Sequence, residues 1–147
     1  MLKHLYPITL EAAIEVASNL SPDDYREVVE GYGQDPLQDL PKNAFIGDSY
    51  YFKAPNGEIA AMGGVHSNGL IWMLTTPTVQ KYPLTFSREC QRMLEIRPEK
   101  LLWNIADKRN KIHLKLLKFL GFKFLREVTY GPNNLKFIEF CKINVHI

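Results

Sequence analysis

The chain of 147 residues has no glycine between Gly69 and Gly121. Its apolar runs, Gly69 to Leu74 for example, are far too short to cross a bilayer. It has two cysteines, Cys90 and Cys141, set in apolar surroundings without metal-type spacing. Buried free thiols are the simplest reading, and an intracellular origin fits them. The N-terminus lacks a basic segment followed by a long apolar core, so no secretory signal is expected. There are no internal repeats and no low-complexity tracts. A net charge of +2 neither argues for nucleic acid nor excludes it. What remains is an ordinary globular composition, 46% hydrophobic, at a length that suits one domain spanning 1–147.

The stretch from Lys100 to Phe124 organises the rest. LLWNIAD is a short apolar run that ends in a polar break from Asp107 to Asn110, as a buried strand does. Ile112, Leu116, Phe119 and Leu120 then recur at helical spacing, with Lys111, Lys115 and Lys118 on the opposite side. Asn110 can cap this helix and Gly121 can end it with a left-handed residue, after which Phe122 opens another strand.

Taken in order, Met1 to Ile8 reads as a first strand. Thr9 caps a helix to about Asn19, with Leu10, Ala13, Ile14, Ala17 and Leu20 as its apolar stripe. Ser21-Pro22-Asp23-Asp24 starts a second helix, its carboxylates set against the dipole, that runs to about Gly31. Gly33 to Asn43 reads as a surface loop. Three strands follow, Tyr50–Ala54, Ile59–His66 and Leu70–Thr75, separated by Asn-Gly turns. A helix over Leu84–Leu94, the organising stretch and a final hairpin of Lys123–Thr129 with Lys136–Lys142 complete the chain. The order is β-α-α-β-β-β-α-β-α-β-β.

That order, with Asn110, Gly121 and Phe122 at their offsets, resembles the N-x-x-A-x-x-L-Y-x-x-x-G-F element of GNAT N-acetyltransferase folds. His113 and Leu117 stand where the element has Ala and Tyr. From Ile59 to Val128, the pair Gly63-Gly64, Leu102-Trp103-Asn104, and Asn110 with His113 and Leu117-Lys118 also resemble the internal virion protein A family of short-tailed coliphages. The resemblance implies an α+β, GNAT-like domain with a mixed, splayed sheet. It also implies acetyl-CoA held between the fourth and fifth strands, its pyrophosphate cradled by main-chain N–H groups of an R/Q-x-x-G-x-G/A loop at a helix start.

The corresponding loop here runs from Thr76 to Leu84. Gln80 can stand for the first motif position, but Pro83 and Thr85 occupy the glycine positions. Pro83 has no N–H, and Thr85 brings a branched side chain where bare backbone is needed. Leu117 cannot reprotonate a thiolate as the family's tyrosine does. If acetyl-CoA binds, the resemblance assigns its contacts to Leu74, Thr75, Thr76, Gln80, Lys81 and Asn110. Asn104, His66 and Tyr82 are the candidate catalytic groups. Asn104 is the most informative, because a buried amide must find partners, either a ligand or a bond across the splayed strands.

Three functions fit this pattern. One is a phage virion or morphogenesis protein with a degenerate site, no cofactor, other virion or assembly proteins as partners, and a location in the virion or host cytoplasm. The second is an active acetyl-CoA-dependent N-acetyltransferase. The third is a cationic module that binds nucleic acid or a host protein through the lysines between Lys100 and Lys123.

Overall fold

The computed structural model describes residues 2–145. Strand β1 (Leu5–Pro7) leads into α1 (Leu10–Ser18) and α2 (Pro22–Arg26), which continues as a π-helical turn over Glu27–Gly31. Then come α3 (Pro36–Asn43), β2 (Asp48–Lys53), β3 (Ile59–Val65) and β4 (Ile71–Thr75). A 3-10 turn (Pro77–Lys81) precedes α4 (Pro83–Ile96), β5 (Leu101–Asp107), α5 (Lys111–Phe119), β6 (Lys123–Tyr130) and β7 (Leu135–Ile143). The Met1 end of the expected first strand lies outside the described residues.

The strands form two antiparallel sheets in the orders β1-β2-β3-β4 and β5-β7-β6. They meet at one parallel bridge between Leu70 and Trp103, where Trp103 N–H donates to Gly69 O at 3.1 Å. A Cβ on Gly69 would run into the Leu101 carbonyl oxygen, so only glycine lets the two chains approach here. Beyond the bridge β4 and β5 part, and the cleft expected between them is present.

Alternation along β4 divides the core. Leu74 and Trp72 pack with Ala13, Val16, Val28 and Leu40 under α1 to α3. Ile71 and Met73 pack on the opposite side, with residues of α4 and α5 such as Leu94, Leu117 and Phe86.

Three local expectations need correction. The segment expected as a loop over 33–43 contains α3. Asp35 caps it by accepting from Leu37 N–H and Gln38 N–H at 3.0 Å each, and Pro36 opens its first turn. On α1 the buried face is Ala12, Ala13, Val16 and Ala17, while Leu10 and Ile14 are exposed. On α5 the buried centre is Leu117, with Leu114, Leu116 and Leu120 partly buried; Ile112 and Phe119 face solvent. In both helices the small or central residue meets the sheet, and the larger apolar neighbours fall on the rim.

Candidate functional site

The site is built from the parting edges of β4 and β5, with α2 across their open end. Side chains at 71, 73 and 75 sit on one side of β4, and the main-chain groups of these residues point into the cleft. Near the bridge, Asn104 spans the gap. Its Nδ2 donates to Ile71 O at 2.7 Å, and its Oδ1 accepts from Ile105 N–H at 2.7 Å. Of its two sequence readings, the geometry realises the bond across splayed strands.

At the open end the start of α2 docks on β4 as a further strand would. Ser21 N–H donates to Thr75 O at 2.8 Å. The buried Asp24 carboxylate accepts from Thr75 N–H and Thr75 Oγ1, both at 2.8 Å, and from Ser21 Oγ at 3.1 Å. Its other oxygen accepts from Asn110 Nδ2 at 2.8 Å. Asp24 therefore ties the end of β4 to the start of α5. Asn110 in turn caps α5 through His113 N–H at 3.4 Å. Both carboxylate oxygens and both polar ends of the Asn110 amide are engaged.

A second layer of charge lies behind this latch. Glu27, in the π-helical turn, accepts from Asp107 N–H at 2.8 Å and from Asn110 Nδ2 at 3.5 Å. Burial of its carboxyl head, helped by the neighbouring Asp24 and Asp107, pushes its pKa up to about 8. Burial also acts to raise Asp107, but hydrogen bonds from Arg109 outweigh it and hold that carboxylate below its ordinary range. His113 faces the same cluster; burial depresses its pKa, with the Asp24 charge acting the other way.

A cavity of about 460 Å³ occupies the splay, lined from both sides of the sheet. Glu27, Tyr32 and Trp72 line it on the α2 side, Cys90 and Leu116 on the α4 and α5 side, and Asn104 and His113 between. Burial pushes the Cys90 thiol up to about 12.

The residues assigned by resemblance to acetyl-CoA separate in the fold. Thr75 and Asn110 come together, through Asp24. Leu74 is buried in the core under α1. Thr76 is buried and its N–H pairs with Ala60 O at 2.8 Å. Gln80 and Lys81 lie exposed on the 3-10 turn. That turn consumes donors, because Val79 N–H bonds Thr76 O and Tyr82 N–H bonds Val79 O. Glu58 accepts from Thr78 Oγ1 and places a carboxylate beside the loop. In the first turn of α4 only Leu84 and Thr85 carry N–H groups free of helical partners, since Pro83 has none. Of the other candidates, Tyr82 sits at the α4 N-cap, packed on the core near Phe86, and His66 follows β3 directly, on the cavity wall. The acid's usual place holds Leu117, buried at 5% exposure.

No family model matches the chain, and no curated protein matches it in sequence. Solved structures do. A spermidine N-acetyltransferase chimera from Vibrio cholerae and hSSAT superposes with a TM-score of 0.71 at 8% identity, over 95% of this chain and 94% of that one. The ribosomal-protein-S18-alanine N-acetyltransferase from Escherichia coli gives 0.68 at 15% identity, over 97% and 94%. A GNAT-family acetyltransferase from Bacillus anthracis gives 0.69 at 11%, over 98% and 97%. The fold is GNAT. At these identities the likeness is one of fold alone, and function rests on the site.

Two residues that organise the GNAT cleft here, Asp24 and Glu27, were not legible as site residues. Asp24 reads from sequence as a carboxylate favouring a helix start, and Glu27 as an ordinary helical charge. Their i, i+3 spacing, which puts both on one face, was the available signal.

Proposed function

We propose that the chain is an acetyltransferase-like protein whose cofactor cleft is closed by its own second helix, and that it works by binding rather than by acetyl transfer. The observation that carries this reading is the Asp24 latch. Pantetheine would need the cleft-facing main chain of β4, yet Thr75 N–H and O are both taken by α2. Opening that end would strand a buried carboxylate, at a cost of several kcal/mol. The pyrophosphate would meet a loop with few free donors and the Glu58 carboxylate nearby. The residues present do not fit acetyl-CoA.

The short motifs Gly63-Gly64, Leu102-Trp103-Asn104 and Asn110 with His113 support a finer placement. In it the whole chain, 1–147, acts as one domain of an internal virion or morphogenesis protein, in the virion or host cytoplasm, with other virion or assembly proteins as partners. Among the described residues no helix is long and apolar enough to cross a membrane.

One observation favours a second reading, the active N-acetyltransferase. Glu27 titrates near 8 on a cavity wall, where a general base for an ammonium group would be useful. Calorimetric titration with acetyl-CoA, paired with a thiol-release assay over a panel of amines, separates the two. No heat of binding and no thiol release are expected. Micromolar binding with release of free CoA would establish the enzyme instead.

The cationic module has less support. Lys111, Lys115 and Lys118 are exposed, but Lys108 pairs with Glu127 at 2.9 Å and Arg109 with Asp107 and Glu30 at 2.7 and 2.8 Å. Lys118 Nζ lies 5.3 Å from the centre of the Phe124 ring.

A further inference from the structure

We propose that the free edge of β6 is a pairing surface for a second copy of this chain, the two β6 strands running antiparallel about a twofold axis through Val128. Among the described residues, β6 has the one long strand edge that the fold leaves unused. The sheet order β5-β7-β6 gives its second side no neighbouring strand, and none of its residues is buried. The other edges are short or spent. Strand β1 has three residues, and β4 and β5 face the cleft, where Ser21 N–H bonds Thr75 O and Asn104 Nδ2 bonds Ile71 O. An open edge carries unpaired main-chain donors and acceptors that another strand can meet.

The register follows from the strand itself. A bulge between Phe124 and Arg126 interrupts the pairing with β7, and the strand ends at Tyr130, so its regular part is 126–130. The midpoint of that part is Val128. A twofold axis normal to the sheet keeps each face continuous, so only residues of the same face can stand opposite each other. Centring the axis on Arg126 or on Glu127 would set two like charges directly opposite, which is destabilising. Centring it on Val128 uses the whole regular part and sets none. Valine then meets valine, Arg126 meets Tyr130 of the second copy, and Glu127 meets Thr129. A guanidinium beside an aromatic ring is a favourable pair, and the Tyr130 ring is 46% exposed. Thr129 Oγ1 accepts from Lys136 Nζ at 2.8 Å, so its own proton can go to the Glu127 carboxylate opposite.

Charges on an edge strand ordinarily guard it against such pairing. Here they are held within their own sheet. Arg126 Nε donates to Glu139 Oε1 at 3.0 Å, and Lys108 Nζ donates to Glu127 Oε1 at 2.9 Å. The regular part of β6 is short beside the roughly 20–30 residues a side of a standard interface, so the dimer is weak and reversible. It forms on the side of the sheet away from β5, and the cleft and the Asp24 latch are untouched by it.

The test uses the full chain. Sedimentation equilibrium under reducing conditions should show monomer and dimer in exchange, half-associated at about 100 μM. Val128→Lys should weaken that association by at least about tenfold, because it sets two ammonium groups opposite each other. Mild oxidation then checks the register at exposed positions, where folding is not at stake. Mixing Glu127→Cys protein with Thr129→Cys protein should give a mixed covalent dimer in excess over that from either alone. Directly opposite Cβ atoms lie about 4.5–5.5 Å apart, close to disulfide reach. Unmodified protein, whose cysteines are Cys90 and Cys141, should stay uncrosslinked. The proposal is overturned if the unmodified chain is monomeric up to about 1 mM. It is also overturned if Val128→Lys protein associates as well as the unmodified chain, or if the mixed pair crosslinks no better than each variant alone.

Discussion

Asp24 ties together three pieces of chain: the start of α2, the end of β4 and the cap of α5. Asp24→Ala would leave Thr75 N–H without its acceptor and the Asn110 amide with only its longer bond to Glu27, so a loss of about 3 kcal/mol is expected in chemical denaturation. Asp24→Asn should cost less, because one amide oxygen can still accept. Behind it, Glu27 gives the fold an unusual pH dependence. Unfolded, Glu27 releases its proton near its ordinary value of 4.5; folded, it keeps it to about 8. Between those values the folded state binds the extra proton, so this contribution to stability is complete below 4.5 and falls as pH rises towards 8. The loss should be on the order of 3–5 kcal/mol, and Glu27→Gln should abolish it, leaving the variant the more stable protein above pH 8. A denaturation series from pH 4 to 9 on both proteins checks the sign. Phe122, buried and edge-on to Phe140 with ring centres 5.3 Å apart, belongs to the ordinary core. Phe122→Ala should cost about 3–5 kcal/mol in the same assay.

At the scale of elements, α5 was the most legible part of the sequence, though not in every respect. Its cap, its end and the strand after it stand where Asn110, Gly121 and Phe122 put them, and Gly121 has φ +91°. Gly121→Val should therefore destabilise by about 2 kcal/mol through backbone strain, with no change at the cleft. Its buried face was misplaced, because Ile112, Leu116, Phe119 and Leu120 weigh equally in a periodicity count, whereas the sheet admits only the face centred on Leu117. The three exposed lysines carry a simple expectation. Reversing Lys111, Lys115 and Lys118 should change stability by about 0.5 kcal/mol per site, and unmodified protein should bind neither DNA nor RNA at low salt. A mobility-shift titration that found binding with a steep salt slope would revive the cationic module. Helix α3 was hidden by Pro36 and Pro41, which count as loop signals until Asp35 is seen to cap the segment. The latch was hidden for a different reason. Its partners Asp24, Thr75 and Asn110 are far apart in sequence, and no local pattern links them.

For the molecule as a whole, the strand order and the parting of β4 from β5 follow from short apolar strands and well-placed caps, which is why the GNAT architecture could be read before any superposition. Whether the cleft is open or closed depends on long-range contacts between its two edges and α2. The most direct test of its closure is an amide NMR titration of the full chain with acetyl-CoA, following Met73, Thr75 and Asn110. If Asp24 closes the cleft, the Thr75 amide stays protected from exchange and all three resonances remain in place up to about millimolar ligand, the range of negligible affinity. Saturable shifts of Thr75 and Met73 at micromolar acetyl-CoA, with loss of Thr75 protection, would show that α2 gives way to the cofactor and contradict the closed-cleft reading.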